Sequence, residues 1–141
     1  RAVDAAEHYF FDADYFRTLL ASPLSWLITA TAPEGGCAAA ALVARSDGFL
    51  HYYLSGTADA HRRRAPSKNL IIAATELAEE RGLPLNLGGG VKPGDGLEEF
   101  KRGFANTELP FRTHELICDP AAYAELSAGR EDDGFFPLYR R

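Results

Sequence analysis

Residues 12–21 read DADYFRTLLA, acidic at the start and apolar at Tyr15, Phe16, Leu19 and Leu20. That spacing predicts a short helix with carboxylates at its N-terminus, stopped by Pro23. Three extended runs follow, residues 24–32, 37–45 and 49–55, joined by PEGG and SDG, which carry hairpin turn chemistry. In the third run, FLHYYLS, Phe49, His51 and Tyr53 alternate with Leu50, Tyr52 and Leu54, so both faces are apolar. Such a strand belongs inside a sheet covered on two sides.

The period then changes. Ser67 is placed to cap a helix over residues 67–81, with Leu70, Ala74, Leu77 and Ala78 on one stripe and Gly82 as its stop. Residues 83–87 read as a short strand running into Gly88-Gly89-Gly90. After the turn KPGDG, Asp95 and Glu98 have the spacing of a capping box for a helix over residues 96–105. A strand is expected at 111–118, a helix at 120–128 and an exposed loop at 129–134. The closing aromatics of FFPLYR are expected to dock on the body of the domain. A meander feeding a strand–helix–strand crossover predicts an α/β (α+β) architecture, a mixed β-sheet with helices on both faces. Its third and fourth strands should be parallel, joined by the helix at 67–81.

A chain of 141 residues is long enough for one domain with its own core, and 46% hydrophobic with 25% charged residues argues against disorder. The net charge of −5 argues against general nucleic-acid binding and against a polybasic membrane binder. No apolar run reaches membrane-helix length, so no membrane partner is expected. Cys37 and Cys118 match no metal or redox spacing and read as two buried free thiols in a cytoplasmic protein. The chain begins at Arg1 and contains no methionine, so it reads as part of something longer.

Against this acidic background, His61-Arg62-Arg63-Arg64-Ala65-Pro66-Ser67-Lys68 stands between a central strand and a helix start. Free helix-start amides with added cations suit a phosphate or pyrophosphate; the bland alternative is a solvated basic loop. LGGGVKPGDG fails as a phosphate-binding Walker loop because Asp95-Gly96 stands where Lys-Ser/Thr is needed. It fails as a dinucleotide fingerprint because Pro93 replaces the third glycine. What remains is a strand end without Cβ atoms, open to a substrate or another backbone, or else a plain turn. Phe100-Lys101-Arg102-Gly103-Phe104 closes a helix; Lys101, between two aromatics, is suited to a developing negative charge. His8, His51, His61 and His114 show no zinc spacing, so no metal is expected. No nucleophile for covalent catalysis stands out. Glu76, His51 and Asp95 are the candidate general bases.

Taken together, HYYLSGT, HRRRAPSK entering a helix, LGGG, GDGLEEFKRGF and the terminal FFPLYR resemble the FemAB-type branch of the GNAT acyltransferase superfamily, over about residues 9–140. In that superfamily an (Arg/Gln)-x-x-Gly-x-(Gly/Ala) loop binds the pyrophosphate of acyl-CoA. Arg62-x-x-Ala65-x-Ser67 takes its register, with alanine and serine for the small residues and Pro66 stiffening the loop. FemAB-type enzymes resemble two such domains in tandem and carry a Phe-Lys pair, matched here by Phe100-Lys101. The resemblance implies one GNAT-like domain over residues 1–141, without the first strand and helix of a complete unit, standing alone or as the C-terminal part of a longer protein.

The implied activity is transfer of an acyl or aminoacyl group from acetyl-CoA, another acyl-CoA or aminoacyl-tRNA to a small-molecule amine or peptide, by direct attack. Lys101 and His51 are the catalytic candidates. Arg62, Arg63, Arg64, Ala65, Ser67 and Lys68 would bind the donor, while Tyr53, Gly88, Gly89, Gly90 and Phe100 would line the groove. An upstream GNAT domain or a second copy is the implied protein partner. The competing expectations are a non-catalytic half acting as scaffold, dimerisation or anionic-ligand domain, and a tRNA- or nucleotide-binding module.

Overall fold

The computed structural model describes residues 11–92 and 94–140, which leaves His8 and Pro93 outside the described residues. The chain divides into two compact units, Arg1–Asn106 and Thr107–Arg141. In the first, helix α1 (Ala13–Leu20) starts where the Asp12 carboxylate accepts a hydrogen bond from the Tyr15 amide at 2.8 Å. Strands β1 (Ser25–Thr31), β2 (Cys37–Ser46) and β3 (Phe49–Thr57) form an antiparallel meander. Asp47 and Gly48 join β2 to β3 with φ of 49° and 81°. Two left-handed residues make the turn whose twist matches the strands it joins, which is why Asp-Gly stands there.

Helix α2 (Ser67–Glu80) crosses over to β4 (Leu85–Asn86), which pairs parallel with β3, giving the sheet order β1-β2-β3-β4. The helix ends at Gly82, φ 63°, with Gly82 N donating to Glu79 O and Leu83 N to Ala78 O. This paired closure satisfies carbonyls the helix leaves open and turns the chain back toward the sheet. Its inner stripe is Leu70, Ile71, Ala74 and Ala78. Ala74 and Ala78 pack on Val43 and Leu50, while Leu70 packs on Ala39 and Ala41. Alanines on facing elements let helix and sheet approach closely, with leucines and Val43 filling the layer between them. Truncating Leu50 or Leu70 to alanine should cost about 2–5 kcal/mol.

The result is a mixed α/β fold, a four-stranded mixed sheet flanked by helices. As expected, β3 lies inside the sheet. Its coverage, however, is complete only on the α2 side. Leu50 is fully buried, whereas Tyr53, which reaches α1 through Tyr15, remains 48% exposed.

Three local expectations need correction. Ser67 does not cap α2; Pro66 occupies the cap position and Ser67 is already helical. Residues 111–118 form no strand, and Phe111, Leu116 and Ile117 are exposed. Alternation describes how side chains would divide between two faces, but a strand also needs a neighbouring edge to pair with. The thiols of Cys37 and Cys118 are free but exposed rather than buried: Cys37 opens β2 beside a diglycine turn, and Cys118 ends the unpaired stretch.

Beyond β4, helix α3 (Gly96–Arg102) is capped by Asp95, as the sequence predicts. In the second unit, α4 (Pro120–Ser127) is capped by Asp119. Tyr123 of α4 stacks on Phe136, meets Tyr139 edge-on, and accepts a hydrogen bond from the Leu138 amide at 3.0 Å. Within this unit the terminal aromatics thus pack on α4. Among the described residues no helix is long and apolar enough to cross a membrane.

Candidate functional site

Because β3 and β4 are parallel, their C-terminal ends lie at the same end of the sheet. Pairing between them stops after His51 and Asn86, while β3 continues to Thr57. Beyond His51 the outer edge of β3 has no strand partner among the described residues. Ligands of open α/β sheets collect at the C-terminal ends of such strands, where neighbouring chains part. Two candidate groups start from these ends, the arginine loop after β3 and the triglycine segment after β4.

The arginine segment is a short 3₁₀ helix, Asp59–Arg64, closed by Ala65 in the left-handed conformation at φ 47° and ψ 50°. Two of its three arginines already have carboxylate partners. Arg62 pairs with Asp59 at 2.7 Å, and Arg64 Nη1 reaches both Glu34 oxygens at 3.0 and 3.1 Å. The Glu34 carboxyl is held below its usual range, by a backbone hydrogen bond first and then by Arg64. His61 Nδ1 lies 3.7 Å from the same carboxylate. Arg63 and Lys68 are exposed and pair with no carboxylate among the described residues. The expected free amides at the start of α2 are largely spent: Lys68 N donates to Ala65 O and Asn69 N to Pro66 O. The left-handed turn at Ala65 brings these carbonyls within reach. A phosphate would thus meet two unpaired cations and the Ser67 hydroxyl more readily than a row of open amides. His61, Arg64, Pro66 and Asn69 also line a cleft of about 210 Å³ with the end of β1.

The triglycine end is built differently. Lys101 Nζ donates to the Gly89 carbonyl at 2.7 Å and would lie 3.7 Å from a Cβ on Gly88. Burial pulls the Lys101 ammonium below the ordinary lysine range, partly opposed by the Asp95 charge. The neighbouring Phe100 ring meets Phe104 edge-on at 5.3 Å. Asp95 organises the loop. Its Oδ2 accepts from the Val91 and Lys92 amides at 2.7 and 3.0 Å, and its Oδ1 from Glu98 N at 2.8 Å. A Cβ at Gly90 would stand 2.0 Å from Oδ1, so only glycine fits there. Backbone donors at Lys92 and Glu98 lead in holding the Asp95 carboxyl below its usual range.

Of the three expected bases, two already hold hydrogen bonds and the third is exposed. His51 uses both ring nitrogens, Nε2 against Ser46 O and Nδ1 against Asn86 Nδ2, each at 3.2 Å. Asp95 is occupied by amides, and Glu76 points to solvent from α2. Tyr53, expected in the groove, meets α1 at its tip: its hydroxyl lies 2.7 Å from that of Tyr15. His114 is exposed in the unpaired stretch. The structure brings Lys101, Gly88, Gly89, Gly90 and Phe100 together. Among the described residues, no hydrogen bond or ion pair joins them to Arg62, Arg63, Arg64 or Lys68.

Sequence reasoning missed Asn86 and Glu34. Each acts on a residue thirty or more positions away, so no local spacing reports it.

No curated protein and no solved structure matches this chain. The family model described as the acetyltransferase (GNAT) domain matches residues 3–102, ending close to the boundary of the first unit. Ala65 lies inside the matched range, with its backbone in the left-handed conformation that favours glycine. The chain belongs to the GNAT acetyltransferase family, whose activity is acyl transfer.

Proposed function

We propose that the chain is an N-acyltransferase of the FemAB-type branch, moving an acyl group from acyl-CoA, or an aminoacyl group from aminoacyl-tRNA, to an amine or peptide. The observation that carries this reading is the early end of the β3–β4 ladder, with the arginine loop following β3 in the chain and the Lys101 seat following β4.

In this reading the donor lies along the open edge of β3. Arg63 and Lys68 bind its phosphates, assisted by Arg62, Arg64 and Ser67. A backbone amide within residues 54–57 polarises the reacting carbonyl. The amine nitrogen attacks the carbonyl carbon and forms the C–N bond. The bond to the donor's sulfur or ester oxygen breaks, and the amine proton leaves to the departing group through water. Lys101 offsets the negative charge on the oxygen during this step, a role that a half-buried ammonium performs better than a solvated one. His51 belongs to the scaffold of the site.

A non-catalytic anion-binding half, paired with an upstream GNAT domain or a second copy, is the second reading. It is favoured by the pairing of Arg62 and Arg64, which resembles a structural ion-pair cluster. Thermal melts of the full chain with acetyl-CoA, a longer acyl-CoA and aminoacyl-tRNA separate the readings, since a ligand of the native state raises Tm by mass action. The enzyme reading expects one donor to raise Tm and to lose its acyl group to an added amine. A raised Tm without transfer to any amine favours the second reading, and no shift with any donor rejects the donor site.

A further inference from the structure

Where β4 ends, three residues form a chain of hydrogen bonds. The Gly88 amide donates to Asn86 Oδ1 at 2.8 Å, Asn86 Nδ2 faces His51 Nδ1 at 3.2 Å, and His51 Nε2 faces Ser46 O at 3.2 Å. Both ends of this chain have fixed roles, because a backbone N–H only donates and a carbonyl only accepts. Gly88 therefore fixes the Asn86 oxygen and turns its NH₂ group toward the ring. Ser46 fixes the ring proton on Nε2, leaving the Nδ1 lone pair to accept. The two constraints meet at the Asn86–His51 contact and agree.

We infer that Asn86 is a positioning residue for Lys101, with His51 as its support rather than a base. This rests on the reading above, in which Lys101 stabilises charge. The bond from Gly88 to Asn86 sets the turn at Gly88, φ 67°, and that turn aims the Gly89 carbonyl at Lys101 Nζ. Helix α3, which carries Lys101, has its own cap in Asp95 and does not need Asn86 to form. Asn86 thus governs where the ammonium is held without governing whether its helix exists.

The test uses Asn86→Ala, His51→Asn and His51→Ala in the full chain, with acetyl-CoA and an amine as substrates. The readouts are steady-state kinetics, the imidazole nitrogen spectrum of His51, deuterium exchange of the Gly88 amide, and the Lys101 side-chain resonance. Asn86→Ala should speed Gly88 exchange about tenfold or more and shift the Lys101 signal. It should lower kcat about 10- to 100-fold with KM within about threefold, as expected when a reacting group is misplaced. His51→Asn puts an amide oxygen near the place of Nδ1 and should keep kcat within about threefold, whereas His51→Ala should follow Asn86→Ala. Unchanged Gly88 exchange and Lys101 signal in Asn86→Ala would overturn the proposal. So would loss of transfer in His51→Asn equal to that in His51→Ala, which is the behaviour of a base. If Asn86→Ala does not fold, Asn86→Ser, too short to hold both partners, carries the same readouts with the same signs. If Lys101→Ala leaves transfer intact while Asn86→Ala still frees Gly88 and shifts Lys101, the positioning stands and the reading of Lys101 falls.

Discussion

The loop after β3 and the segment after β4 handle cations in opposite ways. After β3, charge is abundant and exposed, and half of it is balanced: Arg62 against Asp59, and Arg64 against Glu34. After β4 one ammonium is half-buried and bound to a backbone carbonyl, with Asp95 as its charged neighbour. Exposed pairs in water contribute little and are exchanged readily for another anion. A cation withdrawn from water interacts more strongly with whatever charge develops beside it. The first arrangement suits holding a ligand that must come and go. The second suits stabilising charge that exists only during a reaction.

The largest expected effect lies on the second side. Lys101→Ala should lower kcat about 10²- to 10³-fold with the fold intact, in the range of an oxyanion contact worth about 2.7–4 kcal/mol. Far-UV circular dichroism and transfer kinetics on the same sample check it. Unchanged kcat would make the two regions alike.

The pH dependence sharpens the same contrast. Burial moves Lys101 below the ordinary lysine value, and the ammonium is the working form. The alkaline limb of kcat should therefore fall at a lower pH than an ordinary lysine would give, and Lys101→Arg should move it upward, since a guanidinium keeps its charge. Stability runs the other way. Between the folded and ordinary values the unfolded chain holds more protons, so this group's contribution becomes more favourable as pH rises through that window. Lys101→Met should remove that slope in melts across the alkaline range.

On the first side, the unpaired cations should matter most. Neutralising Arg63 and Lys68 together should raise KM for acetyl-CoA about tenfold or more, because charge-assisted hydrogen bonds contribute about 1.5–3 kcal/mol each. Replacing Arg64 and Glu34 together by glutamine removes a pair of opposite charges and should change KM only about twofold. Equal losses in the two double variants would show that Arg64 leaves Glu34 for the ligand.

Much of the frame was legible along the chain. The change of period at Ser67 and the glycine at 82 place α2, and a helix of that length between two apolar runs requires a parallel crossover. The location of the arginines was equally plain, but the partner of Arg64 was not, because Glu34 comes from the turn between β1 and β2. The same limit hid Asn86, whose role exists only once β4 lies beside His51. Residues 111–118 show the converse failure: an alternating pattern is local, whereas the edge that would make it a strand is not. Pairings across the sheet are what a linear reading lacks, and the site is made of them.

The smallest effect tests the loop backbone itself. Ala65 sits at φ 47°, where a Cβ crowds the following carbonyl and costs about 1–2 kcal/mol. Glycine would remove that strain, but it gives the unfolded chain more freedom, which offsets about 0.4–1 kcal/mol. Ala65→Gly should thus leave a net gain of about 0.5–1 kcal/mol, read as a Tm increase of about 2–4 °C. It should leave KM for acetyl-CoA near its original value, because the backbone shape is kept. If Tm instead falls and KM rises, the left-handed turn is not the loop's working conformation. The balanced charges around it would then describe a resting arrangement, with phosphate contact requiring a different one.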